Sequence, residues 1–79
     1  MNQFVDGPKV IGTKQTLKAV KEGKALKVFL AEDTEEYIKK SIIDCCSDHN
    51  ITVEKVETKV GLGRAGGIDR GAAVIAIVK

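Results

Sequence analysis

The run Ala72–Val78, AAVIAIV, is apolar at every position. A strand of that composition offers no face to water and has to be covered on both sides. The rest of the chain must therefore supply the cover, and its segments alternate between strand and helix patterns. "KVIG" is a short β-type run ending at Gly12. Thr13 then reads as the N-cap of a helix over Lys14–Glu22, stopped by Gly23. Within that helix Leu17 and Val20 share an inward stripe, and Lys14, Lys18 and Lys21 follow the spacing of another face. "LKVFLA", residues 26–31, predicts a strand with Leu26, Val28 and Leu30 on one side and Phe29 on the other. Asp33 precedes the next helix and Glu36 stands three residues on, the spacing of a capping box. That helix is expected over Thr34–Asp48, burying Ile38, Ile42 and Cys45 and exposing Lys39, Lys40 and Asp44. "ITVEKV", residues 51–56, is the third strand, and a loop or short helix separates it from the final apolar run. The order β-α-β-α-β-(loop or short helix)-β indicates an α/β fold, a sandwich around a small, partly parallel sheet.

Seventy-nine residues make one domain, with residues 1–8 expected as a loose N-terminal extension. The first ten residues have no basic start and no long apolar segment, so no signal peptide is expected. The final apolar run is the longest and is far too short to span a membrane. A soluble, intracellular, cytoplasmic protein is expected. Cys45 and Cys46 are adjacent and are the only cysteines, so they cannot staple distant segments or make a Cys-x-x-Cys zinc site. Both are placed on or near the buried face of their helix. His49, the only histidine, falls at that helix's C-terminal end, where it favours the dipole. Glu32, Asp33, Glu35 and Glu36 sit at a strand-to-helix junction and complement a helix N-terminus better than they suggest a metal. With no catalytic constellation, no enzyme, cofactor or metal is expected. Phe4, Phe29 and Tyr37 are the whole aromatic supply, which disfavours modules that stack bases on aromatic rings.

"GLGRAG", Gly61–Gly66, spells the dinucleotide fingerprint G-x-G-x-x-G. A true fingerprint opens a βαβ unit, with an acid about twenty residues later for the ribose. Here only the apolar strand follows, so that reading fails. A P-loop fails too, because no Gly-Lys-Ser/Thr closes the motif. Two readings stay open on the residues themselves. The glycines allow a tight connection with positive φ, or they let backbone approach a ligand beside Arg64 and Arg70.

The formal net charge of +2 hides a segregation. Residues 1–31 carry six lysines against Asp6 and Glu22, residues 32–57 carry eight acids against Lys39, Lys40 and Lys55, and residues 58–79 carry four bases against Asp69. If the two ends of the chain meet, they form a basic surface backed by an acidic one, suited to a polyanion on one side. A mixed, solvated surface explains the counts equally well.

Taken together, "IGTKQTLKAVKEG" and "LGRAGGIDRGAAVIAI" resemble the L7Ae family of ribosomal proteins, specifically its short bacterial members. The resemblance runs from about Lys9 to Val78. It rests on Gly12-Thr13-Lys14-Gln15 with Lys18, on Ala31-Glu32-Asp33, and on Leu62-Gly63 through Gly71-Ala72-Ala73. It implies a three-layer α-β-α sandwich with a mixed four-stranded sheet, and binding of kink-turn RNA, a sharply bent duplex with tandem sheared G·A pairs beside a three-nucleotide bulge. It also implies that the start of the first helix meets the guanines and that the loop before the last strand cups an extruded nucleotide. The expected RNA-binding residues are Gly12, Thr13, Lys14, Gln15, Lys18 and Lys21 in the first part, and Arg64, Ile68, Asp69 and Arg70 in the second. Under this resemblance the glycines from Gly61 to Gly71 shape the RNA-facing loop. The chain departs from the family at Lys14-Gln15, where typical archaeal members carry Asn-Glu, at Arg70, which is often apolar, and after Ala31-Glu32-Asp33, where the usual proline is missing. The Lys14-Gln15 exchange removes a charged acceptor and makes the site more basic, which raises salt sensitivity. The expected partners are RNA and possibly the ribosome, with no membrane, and the expected state is monomeric. The competing expectation is a ribosome-associated protein-interaction module that uses the acidic helix 34–48.

Overall fold

In the computed structural model, which describes residues 7–79, the elements are β1 (Lys9–Ile11), α1 (Thr13–Lys21), β2 (Ala25–Ala31), α2 (Glu36–Asp48), β3 (Val53–Val56), α3 (Lys59–Ala65) and β4 (Val74–Val78). The four strands form one sheet in the order β1-β4-β2-β3. β2 and β3 are parallel, whereas β4 runs antiparallel to both β1 and β2. β4 is thus an interior strand, and its two faces enter two cores. Val74 and Ala76 pack with Val20, Ile42 and Cys46 beneath α1 and α2. Ile75 packs with Phe29 and Leu62 beneath α3. This is the three-layer α-β-α sandwich, and it accounts for a terminal strand with no polar position. Among the described residues no helix is long and apolar enough to cross a membrane.

Several local expectations are corrected. α1 begins at Thr13, so the cap is Gly12 (φ 109°), and no side chain caps the helix. Its buried residues are Thr16, Ala19 and Val20, with Leu17 only half-buried. Gly23, at φ 73°, does end the helix, since a left-handed residue there lets Lys24 N–H reach back to the Ala19 carbonyl at 2.9 Å. In β2 the register against β4 slips between Ala25 and Lys27. The bulge puts Ala25 on the core side and leaves Leu26 56% exposed, against its expected inward position. The strict alternation assumed from sequence holds only from Val28 onward.

α2 starts at Glu36, two residues later than expected, and its cap residue Glu35 makes no side-chain capping bond. The Asp33–Glu36 capping box therefore does not form: Asp33 stands two positions before the cap residue, and its Oδ1 accepts from Lys59 N–H at 2.8 Å. Lys39, expected to be exposed, has an 18% exposed side chain because its ammonium donates to the Glu32 carbonyl at 3.2 Å and pairs with Glu36 at 3.0 Å. Ile42 and Cys46 are the fully buried residues of the helix, and Cys45 is half-buried. β3 is shorter than expected, four residues instead of six.

The glycine-rich stretch folds as α3. Thr58 caps it, accepting from Gly61 N–H at 2.9 Å. From Gly61 to Gly71 only Gly67 has a positive φ, so conformational freedom is not why the stretch is rich in glycine. Close approach is the better reason: a Cβ on Gly63 would overlap the carbonyl oxygen of Arg70. Of the expected N-terminal extension, residues 1–6, with Phe4, lie outside the described residues. At Pro8 the backbone already pairs, its carbonyl accepting from Val78 N–H at 3.0 Å.

Candidate nucleic-acid interface

Gly12 is the hinge of the candidate site. Its N–H donates to the Val74 carbonyl and its own carbonyl accepts from Thr16 N–H, both at 3.0 Å. The φ of 109° is one that L side chains rarely adopt, while the space a Cβ would fill is open. Backbone conformation, not crowding, is therefore what calls for glycine. The helix that follows has no acidic residue in its first turn. An uncapped N-terminal turn presents backbone N–H groups and the positive end of the helix dipole to an electron-rich ligand. Lys14 and Gln15 are exposed here and Thr13 is half-buried. Further along α1, Lys18 and Lys21 are exposed, and with Lys14 they surround the half-buried Leu17 in a cleft of ≈ 390 Å³ that also includes Glu22.

The second part of the site is the segment from α3 to β4. Ile68 N–H donates to the Gly63 carbonyl and Ala72 N–H to the Lys59 carbonyl, both at 3.0 Å, so the loop is folded back onto α3. Ile68 is half-buried against the core beneath α3, while Arg64, Asp69 and Arg70 are exposed. These four residues line a cleft of ≈ 430 Å³ together with Gly71 and Val60. Val60, 58% exposed, was not among the residues expected from sequence. Only the helical phase of α3 could have revealed it, since Leu62, two positions on, takes the buried side.

The two parts meet at one end of the sheet. The Gly12–Val74 hydrogen bond brings the start of α1 against the first residue of β4, where the α3–β4 loop ends. Ala31 N–H donates to the Ala73 carbonyl at 2.9 Å, joining the end of β2 to the same place. Gly12, Thr13, Lys14, Gln15 and the 64–70 segment are thereby gathered at one end, and Lys18 and Lys21 lie farther along α1.

The charged groups sort in a similar way. Lys24, Lys27, Lys39 and Lys55 are paired with Glu22, Glu54, Glu36 and Glu32. Among the described residues none of Lys14, Lys18, Lys21, Arg64 or Arg70 takes part in a salt bridge, so five cations of the candidate site stand available to a ligand. Lys9, Lys40, Lys59 and Lys79 are unpaired in the same sense, which makes the clustering, more than the freedom, the informative feature. The acidic group at residues 32–36 is spent on internal bonds: Asp33 on Lys59 N–H, Glu32 and Glu36 on Lys39. Among the described residues no group of three His, Cys, Asp or Glu side chains is placed to hold a metal ion. The His49 ring bonds through Nδ1 to the Cys45 carbonyl at 2.9 Å, a use of histidine at a helix end that needs no catalysis.

The model of the ribosomal protein L7Ae/L30e/S12e/Gadd45 family matches residues 6–79. An RNA-binding protein of Geobacillus sp. strain WCH70 is 44% identical over 73 residues, 92% of this chain and 89% of the relative. RNA-binding protein YbxF of Geobacillus stearothermophilus is 42% identical over the same shares. Among solved structures, a protein of unknown function from Bacillus halodurans C superposes with a TM-score of 0.83 at 32% identity, covering 90% of this chain and 71% of that one. The 15.5kD RNA binding protein of Giardia lamblia superposes with a TM-score of 0.83 at 29% identity, covering 90% of this chain and 60% of that one.

Proposed function

The chain belongs to the ribosomal protein L7Ae/L30e/S12e/Gadd45 family, and on that premise we propose that it is a non-enzymatic RNA-binding protein that recognises and stabilises kink-turn RNA. The observation that carries this reading is the Gly12 N–H to Val74 carbonyl bond, which joins an uncapped helix start to a loop cleft of mixed apolar and basic character. A kinked duplex offers both partners at once, a widened groove with guanine edges and a nucleotide pushed out of the stack.

In this reading the two parts divide the work by chemistry. Lys14 donates to guanine O6 and N7, and Gln15 both donates and accepts, while the first-turn N–H groups favour the same electron-rich edge. Lys18 and Lys21 meet backbone phosphates, which fix position without reading sequence. Val60 and Ile68 give the extruded base an apolar wall, with Arg64 and Arg70 as its basic rim and Asp69 flanking. Binding the kinked form in preference to the extended one shifts the RNA toward the kink. The whole chain acts as one RNA-binding domain, a monomer in the cytoplasm, either ribosomal or ribosome-associated.

The test is a titration of fluorescent RNA carrying a kink-turn, beside the same duplex with its G·A pairs changed to Watson–Crick pairs, at several salt concentrations. The kinked RNA should bind far more tightly, with a log–log salt slope of roughly −2 to −4 for a few phosphate contacts. Joint replacement Lys14→Ala and Lys18→Ala should abolish that preference. Equal and weak binding of both RNAs would sink the proposal and favour a protein partner on α2.

A further inference from the structure

α1 lies beside the outer strand β1, and between them runs a second groove, which adjoins the α1 cleft of the proposed RNA site through Lys18 and Glu22. Its volume is ≈ 220 Å³, and its floor is apolar, formed by residues such as Val10 and Val78. Gln15 and Lys18 stand on its rim near the start of α1, and Lys24 and Lys79 stand on the rim beyond the helix's end. The far end is held by backbone, since Lys79 N–H donates to the Lys24 carbonyl at 3.0 Å. Two lysines therefore spring from adjacent points of the fold, although 55 positions separate them in sequence. One acid, Glu22, interrupts the rim, and its carboxylate holds the Lys24 ammonium at 3.3 Å.

We infer that this groove carries the sugar–phosphate backbone of the RNA helix flanking the kink, so that the RNA contact continues along α1 and past its C-terminal end. The inference rests on the RNA-binding reading above and extends it to a second surface. Gln15 and Lys18 belong both to the proposed site and to the groove, so the two are continuous. From Gln15 to the end of α1 at Lys21 the helical rise spans roughly 9 Å, with Lys24 beyond it, enough for a few successive phosphates. The rim bears ammonium groups on flexible stems and no guanidinium. Such point charges suit phosphates and carry no base readout, so the contact is independent of sequence. The opposite edge of the sheet, β3 with α2 beside it, belongs to the acidic segment 32–57 and repels a polyanion, leaving the β1 side as the favourable one. Glu22 competes with phosphate for Lys24 and so restrains the groove's affinity.

The experiment uses the full chain and three kink-turn RNAs that differ only in stem length: a short one, and two in which one or the other stem is extended by one helical turn. Extension of one stem should tighten binding roughly tenfold and steepen the salt slope by about one to two, as added phosphate contacts require. Joint replacement Lys24→Ala and Lys79→Ala should erase the gain while leaving the short RNA bound as before. Glu22→Gln should enlarge the gain, because Lys24 is released from its partner. These side chains are exposed, so the variants should fold, and an unchanged unfolding midpoint checks it. No gain from either stem, or a gain that survives the lysine replacements, overturns the groove alone. Loss of any preference for the short kinked RNA in the unaltered chain overturns the proposed function and the groove together.

Discussion

At Thr16 the fold leaves a buried hydroxyl with no hydrogen-bond partner among the described residues, in a side chain with no solvent exposure. Removing the hydroxyl while keeping the shape should help, since a buried unsatisfied group costs more than a missing one. Thr16→Val is expected to raise stability by roughly 1 kcal/mol, read as a higher urea midpoint with an unchanged slope. A lower midpoint would mean that the hydroxyl is satisfied in solution. Cys46 gives a second residue-level prediction. Burial, with Cys45 adding, pushes its thiol from the ordinary 9.0 up to about 11. The folded state thus favours the protonated thiol. Its contribution to stability is complete below pH 9.0 and is lost as pH rises through about 11. A thiol reagent at neutral pH should therefore modify Cys45 well before Cys46, and alkaline unfolding should set in earlier for the native chain than for Cys46→Ala measured against its own neutral-pH stability. Equal reactivity of the two thiols would contradict the burial on which this rests. Nothing in the sequence warned of the depth of Thr16. Its pattern placed both cysteines on or near the buried face but led to Cys45 as the buried one, whereas packing buries Cys46 and leaves Cys45 half-buried.

At the scale of elements, α3 is where sequence and structure differ most. A seven-residue helix containing Gly61 and Gly63 has poor intrinsic propensity, so it must be held by its surroundings. Two caps contribute: the Thr58 hydroxyl on Gly61 N–H, and the Asp33 carboxylate, from a loop 26 positions away, on Lys59 N–H. The capping box expected at α2 is missing because that helix starts at Glu36 with Glu35 as its cap, which leaves Asp33 outside the first turn and its carboxylate directed to α3. Gly63 then lets the helix approach the Arg70 backbone, and because the obstacle is a carbonyl and not a flexible side chain, a methyl group there has no easy outlet. Gly63→Ala should cost roughly 1–3 kcal/mol by overpacking, or displace the 68–70 loop. The two are separated by comparing the thermal midpoint with RNA affinity. Wild-type values for both would remove close approach as the reason for this glycine. At Gly63 the spelling G-x-G-x-x-G thus reflects helix packing, and no residue from Gly61 to Gly66 has a positive φ.

At the scale of the molecule, the sheet order β1-β4-β2-β3 turns a sequence charge pattern into a spatial one. The basic N-terminal segment supplies β1 and α1 at one edge, and the acidic segment 32–57 supplies α2 and β3 at the other. The basic α3–β4 segment returns to the start of α1 through β4, which lies between β1 and β2. Such a field orients a polyanion before any contact forms and penalises docking on the wrong side. Replacing Asp44 and Asp48 by lysine should therefore raise affinity for an unkinked duplex several-fold at low salt, with kinked RNA affected less. The kinked-to-unkinked ratio should fall, and the change should vanish as salt screens it. An unaltered ratio at low salt would show that the acidic half has no part in selectivity. Both mutated residues are exposed and unpaired among the described residues, so stability should hardly move.

What the sequence determined by itself is what depends on local pattern. The period of the apolar residues set the order of the four strands and the first two helices, the all-apolar run 72–78 demanded cover on both faces, and Gly23 stopped its helix because a left-handed residue is a local requirement. The motifs at Gly12–Gln15 with Lys18, at Ala31–Asp33 and from Leu62 to Ala73 were together enough to indicate the family. Tertiary structure decided what depends on partners distant in the chain. It chose Gly12 over Thr13 as the cap by pairing Gly12 with Val74, drew Asp33 away from α2 to α3, and turned Leu26 outward at a bulge against β4. It also set Val60 beside Ile68 and Lys24 beside Lys79. Periodicity records which side of an element is apolar. It holds no record of which distant backbone group will claim a donor, shift a register by one residue, or bring two exposed side chains to the same cleft.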